Sequence, residues 1–171
     1  MEAPYAIEPL GDRHDQAAFS CGVESLDRYL HRQAKQDLRR YVAAVFVACP
    51  AGTSTVAGYY TLSASSIVST DLPPEVIKRL PRYPAQPAVL LGRLAVDQQY
   101  RGQGLGALLV ASALRRSLRL HTEIGAMAVI VDAKDDAARR FYEHHDFQPF
   151  PEHPLRLYYL MQTIAGLFPD E

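Results

Sequence analysis

The chain has 171 residues, of which 48% are hydrophobic and 22% charged, and its formal net charge is −1. Such a composition predicts one globular domain over residues 1–171 with enough apolar side chains for a core. It excludes a membrane span, because no apolar run approaches about 18 residues, and it gives no overall positive charge for nucleic acid. Cys21 and Cys49 are too few for a disulfide framework, and with no export signal visible we expect a reducing cytoplasm.

Alternation over 5–10 predicts an edge strand, and after a polar loop apolar residues at helical spacing predict a helix over about 23–40. The cations of this helix are spaced four, three and four residues apart, so they share one face. They are Arg28, Arg32, Lys35 and Arg39. A charged stripe is usually a solvated helix face, but positive charge concentrated in a slightly acidic chain also fits a surface that binds a polyanion.

Two β-rich segments, 42–48 and 56–65, are predicted to form an antiparallel hairpin. The following segment, 72–87, contains five prolines and three cations, Lys78, Arg79 and Arg82. Proline fixes the backbone, so we expect a stiff surface loop with at most one short helix over 75–80.

The centre of the chain reads as a strand, a glycine turn and a helix. Leu90–Asp97 is apolar enough for a buried strand, Arg101–Gly106 has glycines at alternate positions, and helical spacing begins at Leu105. The first amides of a helix lack partners and carry partial positive charge, and glycines let a ligand approach them closely. This junction therefore predicts a phosphate-binding site.

The same residues allow a dinucleotide pattern, because Gly102, Gly104 and Ala107 fit G-x-G-x-x-G/A. That pattern belongs after the first strand of a βαβ series. Here the turn follows about one hundred residues that do not form such units. We therefore reject a dinucleotide site, and a P-loop is excluded because its lysine motif is missing.

The last part of the chain is predicted as a strand over 126–131, a helix over 135–144 begun by two aspartates, and strands over 147–150 and 155–161. A tail follows from about residue 163. The element order β-α-β-β-(loop)-β-α-β-α-β-β predicts an α/β protein with a mixed sheet.

The segment Arg101–Gly106 matches R/Q-x-x-G-x-G/A and resembles the acetyl-CoA motif of the GNAT (Gcn5-related) N-acetyltransferases. The resemblance implies a single-domain fold whose mixed, mostly antiparallel sheet splays at the central strand between flanking helices. It also implies that the turn holds the pyrophosphate of acetyl-CoA. A backbone amide of the preceding strand, which we expect to be that of Val96, would polarise the thioester carbonyl. The implied cofactor-binding residues are Leu94, Ala95, Val96, Arg101, Gly102, Gln103, Gly104, Leu105, Gly106, Asp132, Ala133 and Phe141.

The candidate acid is Tyr142, which lies in an F-Y-x-x-x-x-F segment formed with Phe141 and Phe147. A phenol with a reference pKa of about 10 stays protonated at neutral pH and can donate to a departing thiolate. Such a tyrosine is the usual acid of GNAT enzymes, although the residue is also one of ten tyrosines that a core could use. No general base is evident, and no metal is expected, because the adjacent His144 and His145 face different directions on a helix.

Further segments resemble the GNAT toxins of bacterial toxin–antitoxin systems over roughly residues 5–162. They are Phe19–Gly22, Leu26–Leu30, Ala34–Asp37, Gly58–Ser63, Leu80–Pro84 and Gly92–Asp97. This resemblance implies that the protein acetylates the α-amine of aminoacyl-tRNA and so blocks translation. It also implies a ribbon-helix-helix antitoxin, and contact with operator DNA only through that antitoxin. It suggests a homodimer, and it gives a cationic set that would bind tRNA. That set is Arg28, Arg32, Lys35, Arg39, Arg79, Arg82 and Arg93.

Two other functions stay open from the sequence. One is a GNAT enzyme that acetylates a small amine or a protein N-terminus, with the proline-rich loop shaping a small pocket. The other is a binding module that uses acetyl-CoA only as a ligand, against which Arg101 and Tyr142 argue. An α-amine of an aminoacyl ester is less basic than lysine, whose reference pKa is about 10.4, so the tRNA substrate accords with the missing base.

Overall fold

The computed structural model describes residues 4–171. Its strands are β1 (Tyr5–Pro9), β2 (Ala44–Pro50), β3 (Gly58–Val68), β4 (Ala85–Val96), β5 (Ala128–Asp132), β6 (Gln148–Phe150) and β7 (His153–Leu160). Its α-helices are α1 (Glu24–Arg28), α2 (Ala34–Arg39), α3 (Pro74–Ile77), α4 (Leu105–Arg119), α5 (Asp136–His144) and α6 (Met161–Leu167). Within the described residues, every helix is too short or too polar to span a bilayer.

The first of two compact units comprises residues 4–63 and 92–113. Its strand order is β1-β2-β3-β4, and β1 is the edge strand, as predicted. Both described registers are antiparallel, with Tyr5 opposite Pro50 and Ala44 opposite Leu62. The predicted hairpin is therefore confirmed. Buried aromatic and aliphatic side chains fill the core of this unit, among them Phe19, Leu30, Val47 and Tyr59.

The second unit comprises residues 64–91 and 114–171, with the strand order β3-β4-β5-β7-β6. Here β4 and β5 pair in parallel from Ala88 opposite Ala128 to Leu91 opposite Val131. The pairs β5–β7 and β6–β7 are antiparallel. The mixed, mostly antiparallel sheet is therefore confirmed. Isoleucines, leucines and aromatic rings, such as Ile67, Ile130 and Phe150, fill the core of this unit.

The predicted helix over 23–40 is divided by a π-helical turn at Tyr29–Gln33, which separates α1 from α2. The turn has a side-chain partner, since the amide nitrogen of Gln16 donates to the Leu30 carbonyl at 2.7 Å. An inserted side chain of this kind interrupts the regular α-helical hydrogen-bond series. The π turn changes the helical phase between Arg28 and the later cations. The prediction of one continuous α-helix was therefore wrong, while the shared face of its cations stays a prediction.

Two other boundaries differ from the prediction. The helix α6 occupies Met161–Leu167, where a tail was expected, because Met161 and Ile164 are buried. The final residue is also fixed, since Glu171 forms a bidentate pair with Arg119 at 2.8 Å. In the proline-rich segment, α3 is only Pro74–Ile77 and β4 already begins at Ala85.

The two helices that carry the predicted chemistry lie close to where the sequence placed them. α4 begins at Leu105, directly after the glycine turn, and runs for 15 residues. α5 begins after Asp135, whose carboxylate accepts a hydrogen bond of 2.9 Å from the amide of Ala138. This is the N-cap arrangement that the aspartate pair predicted.

Candidate functional site

A buried aspartate fixes the exit from β4. The carboxylate of Asp97 accepts hydrogen bonds from the amides of Ser20 and Gln99, each at 2.9 Å. Its own amide donates to the Ala57 carbonyl at 2.8 Å. These partners come from separate stretches of the chain, so Asp97 sets the direction in which the backbone leaves the strand and enters the glycine turn.

The glycine turn leaves open space in front of the first amides of α4. Gly102 and Gly104 have φ angles of +76° and +79°, which L side chains rarely adopt. Among residues 4–171, no atom outside the glycine and its two chain neighbours lies within 4 Å of a Cβ placed at either position. Leu105 is buried and Gly106 lies in the first turn of α4. This combination of accessible amides and a helix N-terminus fits a phosphate group.

Arg101 and Gln103 flank these glycines, and their side chains are held within the first unit. The guanidinium of Arg101 donates to the carbonyl of Cys21. The amide oxygen of Gln103 accepts a hydrogen bond of 2.6 Å from the hydroxyl of Tyr5. The turn is therefore tied to β1 on one side and to the segment 19–22 on the other.

The segment 19–22 links the turn to the first helix. The carbonyl of Ser20 accepts a hydrogen bond of 2.9 Å from the Gln98 amide, and the Cys21 amide donates to Asp27 at 2.8 Å. Gly22 has a φ of +87°, and a Cβ there would lie 2.6 Å from the Gln98 side chain. The sequence predicted no role for the segment 19–22 beyond its resemblance. Its contacts show that it connects the glycine turn to α1.

The candidate strand residues Leu94, Ala95 and Val96 lie beyond the β4–β5 register, which ends at Leu91. Ala95 is buried, whereas Leu94 and Val96 are half-buried. The last part of β4 is therefore in a position to pair its backbone with an extended ligand.

The predicted cations of the first unit divide into paired and unpaired residues. Arg28 pairs with Glu24, and Lys35 lies 3.2 Å from the carboxylate of Asp12. Arg32 and Arg39 are exposed, and neither forms an ion pair within residues 4–171. Only part of the predicted stripe therefore presents unneutralised charge.

The guanidinium of Arg93 is stacked on an aromatic ring. Its guanidinium carbon lies 3.7 Å from the ring centroid of Tyr29. The hydroxyl of Tyr29 in turn donates to Asp37 at 2.8 Å, and burial together with that carboxylate raises the pKa of Tyr29. The stacked guanidinium is half-buried and keeps a fixed orientation.

The first unit also contains an open cavity of about 470 Å³. Gly22, Arg28 and Arg32 line it, together with two acids and His31. Arg28 and Arg32 therefore share this cavity with Gly22, which belongs to the segment 19–22. The side chain of Arg101 donates to the Cys21 carbonyl of the same segment.

Tyr142 lies on α5 in the second unit and is 8% exposed. Its ring contacts Phe141 and Phe147 edge-on, with centroids 5.2 and 5.4 Å away. Burial raises the pKa of Tyr142 well above its ordinary value. The phenol is therefore protonated throughout the neutral range, as an acid that donates its proton must be.

Asp132 and Ala133 lie at the end of β5, where they line an open cavity of about 600 Å³. The amide of Ala133 donates to the Leu155 carbonyl at 2.7 Å, and the Asp132 carboxylate lies 3.4 Å from Arg156. Both residues thus have partners of their own within the second unit. Phe141 is half-buried and contacts the His145 ring at 4.8 Å.

The two predicted cations of the proline-rich segment, Arg79 and Arg82, are both exposed. Arg79 lines a small cavity of about 220 Å³ together with apolar residues such as Leu80 and Met127. These cations belong to the second unit, and the cations of the helical stripe belong to the first.

Comparison with known proteins identifies the family. Residues 43–149 match the model of the acetyltransferase (GNAT) domain. A tRNA-acetylating toxin of Mycobacterium tuberculosis (strain ATCC 25618 / H37Rv) is 37% identical over 170 residues, which cover 99% of this chain and 100% of the relative. The chain therefore belongs to the GNAT acetyltransferase family, and the predicted enzyme class is confirmed.

Solved structures agree with this assignment. AtaT complexed with acetyl-methionyl-tRNAfMet has a TM-score of 0.88 and 32% identity, covering 96% of this chain and 99% of that one. A tyrosine-to-phenylalanine mutant of AtaT, bound to acetyl-CoA and the C-terminus of the antitoxin AtaR, has a TM-score of 0.82 and 29% identity. The match covers 97% of this chain and 99% of that chain. The predicted fold, with its seven strands and flanking helices, is confirmed.

Proposed function

We propose that this protein is a toxin that transfers the acetyl group of acetyl-CoA to the α-amine of an aminoacyl-tRNA and so blocks translation. The observation that carries the proposal is the 37% identity to a tRNA-acetylating toxin over essentially the whole length of both chains. A polyanionic substrate is also supported by Arg32 in the π-helical turn and Arg39 in α2, which are exposed and form no ion pair within residues 4–171.

The glycine turn would bind acetyl-CoA. In this proposal the amides after Gly102 and Gly104 and the guanidinium of Arg101 contact the pyrophosphate, and Gln103, Leu105 and Gly106 complete that contact. Leu94, Ala95 and Val96 pair with the pantetheine arm, and the Val96 amide polarises the thioester carbonyl. Support comes from the open space at both glycines and from the helix that begins behind them.

Tyr142 would act as the acid. The substrate amine forms a bond to the carbonyl carbon, the carbon–sulfur bond breaks, and the phenol of Tyr142 donates a proton to the sulfur. The amine loses one proton to solvent, and the Tyr142 phenolate takes one proton back from solvent. No side-chain base is required when the amine is already partly unprotonated at neutral pH. Asp132, Ala133 and Phe141, which belong to the same unit as Tyr142, are also proposed to bind the cofactor.

The cationic set would bind tRNA phosphates. Arg28, Arg32, Lys35, Arg39 and Arg93 of the first unit and Arg79 and Arg82 of the second are its members. A ribbon-helix-helix antitoxin would neutralise the toxin, and operator DNA would be contacted only through that antitoxin. The active form would be a homodimer in the cytoplasm.

Incubation of the purified protein with labelled acetyl-CoA and total charged tRNA tests the proposal. We expect acetylated aminoacyl-tRNA from at least one isoacceptor, identified by sequencing of the protected RNA. A protein that binds acetyl-CoA but labels no aminoacyl-tRNA would instead be an acetyltransferase for a small amine or a protein N-terminus.

A further inference from the structure

Tyr41 ends the helix α2 in a conformation that suits glycine. Its φ angle is +60°. The Tyr41 amide donates to the Leu38 carbonyl at 3.2 Å, and the Val42 amide donates to the Asp37 carbonyl at 3.0 Å. This pair of hydrogen bonds defines a helix C-terminus whose left-handed position is usually glycine. A side chain with a Cβ is strained there.

Packing does not compensate for this strain, because Tyr41 is 96% exposed. The next residue, Val42, is 57% exposed. Folding therefore provides no reason for a large aromatic side chain at this position, whereas binding of a ligand by the ring would provide one.

The surroundings of Tyr41 are cationic. Arg39 and Arg40 directly precede it and both are exposed. The neighbouring acid, Asp37, accepts hydrogen bonds from the side chains of Tyr29 and Gln33 at 2.8 and 2.9 Å. An accessible aromatic ring beside arginines is the arrangement that binds an unpaired nucleotide, because the ring stacks on the base and the guanidinium groups contact phosphates.

We infer that Tyr41 stacks on an unpaired base of the tRNA substrate, with Arg39 and Arg40 contacting the adjoining phosphates. This inference rests on the proposed function and adds to it a residue that reads the RNA through its base rather than its charge. The adjacent arginines favour RNA over a protein partner at this position.

Substitution of Tyr41 by glycine tests the stacking without impairing the fold. Glycine relieves the strain at φ +60°, so Tyr41→Gly is expected to raise the melting temperature. Its affinity for uncharged tRNA, measured by filter binding, is expected to fall about tenfold, since loss of one stacked base has an effect of this order. Tyr41→Phe keeps the ring and is expected to bind within about twofold of wild type. Acetyl-CoA binding is unchanged in both variants. Equal tRNA affinity of Tyr41→Gly and wild type would overturn the inference.

A fluorescent substitution gives an independent readout, because the chain has no tryptophan. Tyr41→Trp introduces a single indole whose emission is expected to be quenched when tRNA is added and a base stacks on it. Ile124→Trp is the matched control, since Ile124 is 62% exposed and lies between Glu123 and Gly125 rather than beside arginines. Equal quenching in the two variants would contradict stacking at Tyr41.

The failures of the two proposals are distinguishable. Absence of any tRNA binding by the wild type overturns the proposed function and the stacking together. Binding by the wild type that Tyr41→Gly retains overturns the stacking alone. If Tyr41→Gly keeps its tRNA affinity but is no longer neutralised by the antitoxin in cells, the residue belongs to a protein interface and the inference is wrong.

Discussion

The Nε2 atom of His14 lies 2.8 Å from a carboxylate oxygen of Glu8. The Nδ1 atom of the same ring accepts a hydrogen bond of 2.8 Å from the Gly11 amide. Cys49 completes a group whose ligand atoms all lie within 4.8 Å of one another. An amide that donates to Nδ1 requires the neutral ring to carry its proton on Nε2, which is the atom that a metal would need. The His14 ring is therefore held between Gly11 and Glu8 by hydrogen bonds.

We predict that zinc does not stabilise the protein. A metal that bound only the folded state would raise the melting temperature as its concentration increased. Thermal unfolding is measured after chelation and again with excess Zn²⁺, and the two curves are expected to coincide. A rise in Tm that is lost in the variant Cys49→Ser would show that this group does bind metal.

We predict that acid destabilises the fold through His14. Burial, and then the charges of Arg13 and Lys35, lower the pKa of His14. The unfolded chain therefore binds a proton first, at a reference pKa of about 6.5. The stabilising contribution of neutral His14 is complete above that pH and is lost as the pH falls towards the lowered pKa. Melting curves between pH 7 and 5 test this, and His14→Gln is expected to show a flatter dependence than wild type.

We predict that Gly104→Ala weakens acetyl-CoA binding beyond its effect on stability. The substitution strains the backbone at φ +79°, at a cost of about 1–2 kcal/mol, and places a methyl group in the space proposed for the pyrophosphate. Gly52→Ala is the control, because Gly52 has a φ of +77° and equally open surroundings in the turn after β2. Calorimetry is expected to show about tenfold weaker acetyl-CoA binding, or about 1.4 kcal/mol, for Gly104→Ala only.

We predict that Tyr142→Phe lowers kcat by about 100-fold or more, the usual contribution of a positioned acid, and restores growth of cells that express the protein alone. Tyr159→Phe is the matched control. Tyr159 is also buried, and its ring contacts Phe147 at 5.3 Å, as the ring of Tyr142 does at 5.4 Å. Undiminished toxicity of Tyr142→Phe at matched protein levels would refute the acid role.

We predict that Arg28 in α1 and Arg32 in the π-helical turn contribute unequally to tRNA binding. Arg32 has no ion pair within the described residues, whereas Arg28 is paired with Glu24. Arg32→Gln is therefore expected to reduce the slope of log affinity against log salt by about 1, the value for one phosphate contact. Arg28→Gln is expected to change it less. Equal slopes for the two variants would contradict this division of the cations.

Sequence patterns correctly predicted those elements that depend on interactions between residues close together in the chain. The aspartate before α5, the amphipathic spacing of α4 and the glycines between β4 and α4 each act within a few residues, and the structure has all three. The contacts that sequence reasoning missed act over long separations, such as Asp97 with Ser20 and Arg101 with Cys21, which are 77 and 80 residues apart. The π turn was missed for the same reason, because the Gln16 side chain that contacts it lies outside the helix.

The hydrogen bond between Ser20 and Asp97 also bears on the order in which parts of the fold can form during translation. The first compact unit consists of residues 4–63 and 92–113, so its two parts leave the ribosome separated by an intervening stretch that belongs to the other unit. The early segment has no partner for its Ser20 amide until Asp97 has been made, and Tyr142 is translated later still. A growing chain therefore completes its proposed cofactor turn before it has its proposed acid, and a product that is truncated before residue 142 has the turn without the acid.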